Sequence, residues 1–554
     1  MHKSESAFAI LLCFFLFLPA GAKAQQGRIT ETNPNYQQGD WISYSVNRFI
    51  TSIAVGRQYA YFGTTGGITR YNFYANEWDY PYTTSSGLAD NRISAVAFDE
   101  QTGLLWCATQ KSISYFHPTA RKWYNGFKDH QGIVVNDKII SIGIGENDLI
   151  FETAGGRRYL GQKHGGINFM IAPKDDSVQR KWFGARARKR PPYPHYFMND
   201  NYIFQRDGII SDQRLRSGRV TGIVEDKWQK VWMGSWRFGA IIGDVRTEML
   251  EVLPYGLFSP RVDAIAFDEN GIWFAGRNGP GKESGITYWD QARDRWAYFE
   301  TRLIAELPGD QIFKMVVAEG KLYCATQFGI SVLDFSENEW SRLAPSFPFA
   351  NEAVYSLAVS GDFLWAGSEN GLTKINLATA HTDSAEVLEV NELSGTAVYD
   401  IEVTERAVWT ASAIGIFLYE EDRNEWGIAS GKDAPVAAFT REIARNGDEI
   451  WFGGNGVVHA FNMKTHKWYA QPESKRDLPG PVLAIAADAF SVWVGTRSGV
   501  FKLNRESRTW RRFDRIDGLI DTRVNEIVID GDYVWFGTPK GATTFFWNDP
   551  HRVD

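Results

Sequence analysis

The densest run of chemically capable side chains lies a third of the way along the chain. Arg180, Lys181, Arg186, Arg188, Lys189 and Arg190 cluster there, in a protein whose formal net charge is −7. Trp182, Tyr193, His195 and Tyr196 interleave aromatic rings with these cations, and Pro191, Pro192 and Pro194 stiffen the stretch. A guanidinium presents a planar fork of donors that matches the paired oxygens of carboxylate, sulfate or phosphate, and aromatic faces suit sugar rings or peptide. Trp236 and Arg237 repeat the ring-plus-cation pairing further on. The candidate binding set is therefore Arg180, Lys181, Trp182, Arg186, Arg188, Lys189, Arg190, Tyr193, Trp236 and Arg237. The ligand expected of such a set is an anionic glycan or an acidic protein partner. The plain alternative is a solvated loop, which is what most charge runs are.

Other constellations are weak. The histidines (His117, His130, His164, His195, His381, His459, His466 and His551 among them) are scattered, with no H-E-x-x-H spacing that would place two ligands on one metal. No G-x-S-x-G elbow or phosphate loop stands out, and most acidic residues sit at turn positions, so no acid–base pair can be named. No catalytic residue, metal or cofactor is assigned. With 66 Asp and Glu against 59 Lys and Arg, the overall balance does not point to a nucleic-acid partner. Cys107 and Cys324 fall at equivalent repeat positions in non-adjacent units, too far apart for a disulfide, and read as small buried core residues.

The elements that must position these side chains are repeats. An aromatic, one residue, a small residue, then Thr or Ser recurs at intervals of about 42 residues. It occurs as Tyr61-Phe62-Gly63-Thr64, Trp106-Cys107-Ala108-Thr109, Trp232-Met233-Gly234-Ser235, Trp365-Ala366-Gly367-Ser368, Trp493-Val494-Gly495-Thr496 and Trp535-Phe536-Gly537-Thr538, among others. Each unit reads as four strands: an inner strand of small apolar residues, the aromatic strand, a third after a glycine turn, and an outer one carrying a Trp such as Trp78, Trp123, Trp296 or Trp510. This spacing predicts an all-β β-propeller of about eleven four-stranded blades. Eleven blades are many for one ring, so two rings are expected, with a boundary near Tyr255: blades 1–4 in residues 25–255, with a basic insertion at 180–205, and blades 5–11 in 256–554. The last unit lacks an outer strand, and Asp40-Trp41-Ile42-Ser43-Tyr44 near the other end supplies one, which predicts that it closes the last blade.

Residues 1–24 carry the marks of an export signal: Lys3, an apolar run from Ala7 to Leu18, and the A-x-A site Ala22-Lys23-Ala24. The run is short for a membrane span, and no later stretch is long and apolar enough for one, so the mature chain is expected to lack a transmembrane segment and to be periplasmic or secreted after cleavage near Ala24.

The repeats resemble the two-component-regulator propeller repeat, whose units read approximately G-L-x-x-x-x-V, D-x-x-G-x-x-W-x-G-T and G-[LI]-x-x-[YF]. Gly87-Leu88 ahead of Ile93 and Gly518-Leu519 ahead of Val524 match its first part, with weaker copies at Gly256-Leu257 and Gly132-Ile133. The resemblance covers nearly all of the chain after residue 24. It implies a propeller of the kind that forms the periplasmic sensor half of membrane-bound histidine kinases, often for glycans. This chain departs from that plan, showing no kinase, no membrane span and no immunoglobulin-like domain after the last blade. A second likeness is to the propeller-bearing component of the type IX secretion machinery, whose terminal sorting domain has no room after Phe546. The expected function is a sensor-like exported module that binds a glycan or an envelope or extracellular protein, with a secretion scaffold and a propeller lyase or hydrolase as alternatives.

Overall fold

A computed structural model describes residues 28–29, 36–110, 112–129, 137–166, 168–173, 178–279, 282–344, 347–380, 386–420, 425–435, 438–470 and 478–552. The segment expected to be an export signal, residues 1–24, lies outside them. The described residues form eleven sheets, ten built on four consecutive antiparallel strands and the last on three, here called blades 1 to 11. Blade 1 runs over 50–82, blade 2 over 93–125, blade 3 over 139–171, blade 4 over 217–253, blade 5 over 264–300, blade 6 over 312–342, blade 7 over 354–389, blade 8 over 398–428, blade 9 over 440–470, blade 10 over 484–513 and blade 11 over 526–546. No helix among the described residues is long and apolar enough to cross a membrane.

Each position of the repeat has a physical task. The aromatic of the second strand is core: Trp106, Trp232, Trp451 and Trp493 are fully buried. The small residue accommodates the neighbouring sheet. A Cβ on Gly63 would stand 2.7 Å from the Ile93 side chain of blade 2, and one on Gly453 2.5 Å from Val482, on the lead-in to blade 10. The closing Thr or Ser ties the following turn. Thr496 Oγ1 donates to the Gly499 carbonyl at 2.9 Å and accepts from the Ser498 amide, and Thr64, Thr326, Ser412 and Thr538 donate to their turn carbonyls in the same way. Cys107 and Cys324 are free and buried, each beside its Trp or Tyr in the same strand.

The small-residue contacts also show which blades meet. Gly234 of blade 4 lies against Ile50 of blade 1, where a Cβ would be 2.5 Å away. A Cβ on Gly537 of blade 11 would stand 2.9 Å from the carbonyl of Val262, on the lead-in to blade 5, and the Val262 amide donates to the Thr538 carbonyl at 2.9 Å. Inner strands of blades 5 to 11 pack in sequence order, and that of blade 11 touches that of blade 5. The strand Trp41–Tyr44 pairs antiparallel with Gly541–Phe546 as the fourth strand of blade 11, Trp41 opposite Phe545. Trp41 stacks on Phe545 at 4.0 Å between centroids and is 3% exposed.

Two departures from plain four-stranded blades bear on function. Blade 3 gains a fifth strand on its inner edge, Lys181–Gly184, antiparallel to Ile139–Ile144. Blade 4 is extended at the same edge by the hairpin Ile203–Phe204 and Ile209–Ser211. Eight inner strands, those of blades 1–4 and 6–9, carry a register irregularity at one equivalent place, between Ile50 and Ser52 in blade 1 and between Val354 and Ser356 in blade 7, for example. A bulge leaves one residue unpaired and re-aims its side chain.

Candidate functional site

The basic segment does not form one surface. Arg180 has a side chain only 3% exposed, and its guanidinium donates to both oxygens of Asp148, at 3.0 and 2.7 Å. Lys181 pairs with Glu100 at 2.9 Å. Arg186 pairs with Glu152 at 2.8 Å and lies over the Trp182 ring, 4.3 Å from its centroid, while that ring packs on Gly143. Tyr193 is buried in the core of blade 4 and its hydroxyl donates to the Lys189 carbonyl at 2.9 Å. Arg188, Lys189 and Arg190 stay exposed. Trp236 packs against Phe49 at 5.2 Å, and Arg237 reaches Glu283 at 3.3 Å. The expected set is thus divided between the inner edge of blade 3, the core of blade 4 and the approach to blade 5. Strand pairing is the cause, because placing Lys181–Gly184 in a sheet fixes alternate side chains onto partners of blades 2 and 3.

A different set is brought together by the bulges. In blades 6, 7, 8 and 9 the unpaired residues are Phe313, Tyr355, Tyr399 and Arg441, and all four line one cavity of about 450 Å³. Their rings form an arc: Phe313 to Tyr355 at 5.1 Å, Tyr355 to Tyr399 at 5.7 Å, and Tyr399 to Phe439 at 5.6 Å. The same walls carry Asp263, Arg277, Gln311, Gln327, Lys314, Asp400, Glu442, Asn525 and Glu526. In blades 1, 2 and 4 the equivalent bulge residues are small and hydroxylated: Thr51, Ser94 and Thr221. Thr51 and Ser94 donate to the Ile93 and Ile139 carbonyls of the next blade, at 2.9 and 2.6 Å, so these hydroxyls join blades.

The floor of the cavity is acidic around one cation. Lys314 Nζ donates to Glu526 at 2.9 Å. Burial opposes the charge on Lys314, but Glu526, Asp400 and Glu442 outweigh it and hold its pKa above the ordinary value. Burial also raises the carboxyls. Asp400 and Glu526 are shifted upward despite Lys314, and Glu442 is pushed up to about 8 with Arg441 beside it. Asp263 behaves oppositely: burial alone would raise it, but Arg261 at 2.6 Å and Arg277 at 2.7 Å outweigh burial and lower it. Two buried donors in this wall, Arg277 Nε and Asn525 Nδ2, have no hydrogen-bond partner among the described residues. Such groups are costly unless a ligand or water meets them. The arrangement can stack a flat molecule on the arc and meet its hydroxyl or acid oxygens from Arg277, Gln311, Gln327 and Asn525.

Repeat reading passed over these residues because it aligns the second strand, where the large invariant-looking rings are. The signal was the residue after the first apolar position of the inner strand, which turns from Thr or Ser in the early units to Phe, Tyr and Tyr in Ile312-Phe313, Val354-Tyr355 and Val398-Tyr399.

No family model matches the chain, and no curated protein matches it in sequence. Among solved structures, the chain is similar to PorZ, an essential bacterial surface component of the type-IX secretion system of Porphyromonas gingivalis, with a TM-score of 0.56 at 12% identity over 92% of this chain and 87% of that one. The extracellular domain of BT4673 of B. thetaiotaomicron, ascribed to a hybrid two-component system, aligns with a TM-score of 0.47 at 14% identity over 90% of this chain and 70% of that one. That of BT3049 from the same organism gives 0.45 at 14%, over 89% and 74%. At these identities what is shared is the fold, a β-propeller built of repeated four-stranded sheets.

Proposed function

We propose that this chain is an exported, sensor-like binding module that recognises a glycan in the central cavity of blades 5 to 11. The arrangement we infer is two rings. Blades 1–4 form one, on the support of Gly234 against Ile50. Blades 5–11 form the other, on the support of Gly537 against Val262. Because Trp41–Tyr44 belongs to blade 11, the smaller ring is inserted between that strand and blade 5, and the chain passes from one ring to the other between Leu253 and Ala264, around Tyr255.

The observation that carries the glycan reading is the arc of Phe313, Tyr355 and Tyr399, raised on bulges over a wall with two unpartnered buried donors. Aromatic faces take the C–H faces of a sugar, and amide and guanidinium donors take its oxygens. Periplasmic or extracellular residence follows from the export signal and fits a glycan ligand. The test is calorimetric titration of the mature protein with neutral and acidic oligosaccharides, with Tyr355→Ala and Tyr399→Ala as variants. Saturable binding lost in either variant supports the proposal. Binding that survives both, or an absence of binding to every sugar, overturns it and favours a protein-binding scaffold.

One observation favours a second reading. Glu442 faces the same cavity with a pKa pushed up to about 8, which keeps a carboxyl protonated near neutral pH as a general acid requires. A hydrolase or lyase would release products from a bound glycan and lose turnover in Glu442→Gln while still binding.

A further inference from the structure

A second cavity, of about 290 Å³, lies where blades 1, 4 and 5 meet. Its lining carries the rings of Trp78, Tyr255, Phe258, Trp296 and Tyr298. Four arginines line it too, and Arg48 lies over the Phe258 ring, 4.2 Å from its centroid. Arg48 comes from the connection between Trp41–Tyr44 and blade 1, Arg214 and Arg216 from the turn that enters blade 4, and Arg237 from the second turn of blade 4. Arg237 is held there with a φ of 112°, a region non-glycine residues rarely adopt, by donation of its amide to the Arg48 carbonyl at 3.1 Å.

Three carboxylates answer these four cations. Glu283 takes Arg48 at 2.5 Å and Arg237 at 3.3 Å. Glu300 takes Arg216 at 2.5 Å and Arg214 at 3.8 Å, and Asp212 takes Arg216 at 2.5 Å. Burial lowers the pKa of Arg48 in spite of Glu283, so its cation is incompletely compensated.

The unmet hydrogen-bonding capacity of the cavity is of one kind. Asn47 Nδ2, Arg48 Nε and Trp296 Nε1 are buried without a hydrogen-bond partner among the described residues, and all three are donors. Asn47 is 4% exposed and Trp296 5%. Orphaned donors, with positive charge in excess, call for an acceptor-only group, which means an anion. The aromatic wall calls for a flat, partly apolar body, and the volume is that of a ligand near the size of a monosaccharide.

We propose that this junction is a second binding site, for a small organic anion that carries a carboxylate, sulfate or phosphate on such a body, and that the bound anion ties the two blade sets together. It is separate from the central cavity, and its residues come from both sets.

The test is calorimetry and thermal melting of the full mature chain with sodium glucuronate, inorganic phosphate and inorganic sulfate, at constant ionic strength, with glucose as the uncharged control. Expected are one site per chain, a raised melting temperature, and a Kd about tenfold weaker in Arg237→Gln, the loss of roughly one charge-assisted hydrogen bond. Arg214→Gln removes a half-exposed side chain, and so keeps the test open if Arg237→Gln fails to fold. Trp296→Phe removes one orphaned donor and keeps the ring. Lys122→Gln, exposed on the outer strand of blade 2 and in neither cavity, should leave this binding unchanged. Binding of glucuronate alone supports the organic anion, and equal binding of phosphate or sulfate supports the shared anionic head. No saturation with any of the three up to about 10 mM, equal binding of glucose, or affinity indifferent to both arginine variants would overturn the proposal.

Discussion

Replacing Trp41 by Ala tests how much of the fold depends on the strand contributed from the other end of the chain. Trp41 is 3% exposed, stacks on Phe545 at 4.0 Å, and has Phe513 and Phe536 at 5.9 and 6.0 Å. Its indole N–H has no partner among the described residues, so truncation strands no acceptor there. Large-to-small changes of a buried aromatic cost about 3–5 kcal/mol. If blades 5–11 melt as a unit of roughly 280 residues, at about 2.1 cal/mol/K per residue, each kcal/mol lowers Tm by about 1.7 °C, giving a drop of roughly 5–8.5 °C. The assay is differential scanning calorimetry with a near-ultraviolet circular dichroism melt. Where two transitions resolve, the drop belongs to the one that contains blade 11, and the transition of blades 1–4 should stay in place. A change under about 2 °C would refute the view that this strand completes the blade, and an equal fall in both transitions would refute the separation of the two sets.

Other expectations follow from individual side chains. In Glu442 the folded pKa of about 8 lies above the ordinary 4.5, so the folded state holds a proton that the unfolded chain releases. This contribution to stability is complete below about pH 4.5 and is lost as the pH rises through 8. A plot of urea midpoint against pH should therefore be flatter between 5 and 8 in Glu442→Gln than in the parent, and parallel profiles would rule this out. Arg180→Ala leaves the partly buried Asp148 without its bidentate partner and should cost about 2 kcal/mol, while Arg188→Ala, on an exposed side chain, should stay within about 0.5 kcal/mol. Similar midpoints for the two variants would contradict the assignment of Arg180 to structure. Burial raises the Cys107 and Cys324 thiols well above the ordinary value, so neither should react with a thiol reagent until the chain unfolds, and native labelling of either would show that these cores open locally.

The blade repeat was legible because its causes are local. The ring of Trp106 or Trp493, the small residue beside the next sheet, and the hydroxyl that ties its own turn all act within about ten residues of sequence or at a fixed repeat spacing. The partner strand Asp40–Tyr44 was legible for a similar reason, since the last unit showed a missing outer strand. The partners of the basic segment were not legible because its carboxylates stand elsewhere in sequence: Asp148, Glu152 and Glu100 face Arg180, Arg186 and Lys181 only once an extra strand is laid on blade 3. Both cavities depend on still longer separations. Lys314 meets Glu526, and Arg48 meets Glu283, across 212 and 235 residues respectively. No periodicity announces such pairs. The aromatic bulge residues were visible as letters, but their direction comes from one unpaired position in the ladder.

The hydrogen bond between Ser43 and Thr543 spans 500 residues. At a synthesis rate of about 5–20 residues per second, the strand Trp41–Tyr44 waits roughly 25 to 100 s before its partner Gly541–Phe546 exists. During that interval blades 1–4 can complete themselves, while blade 11 cannot. A chain that stops short of Phe546 therefore keeps an open sheet edge and an unpaired Trp41, both of which invite pairing with another chain. Completion of synthesis is in this way converted into a change of surface, from an adhesive edge to a closed one, and proteases or chaperones that act on exposed strands can tell finished molecules from unfinished ones without reading any sequence.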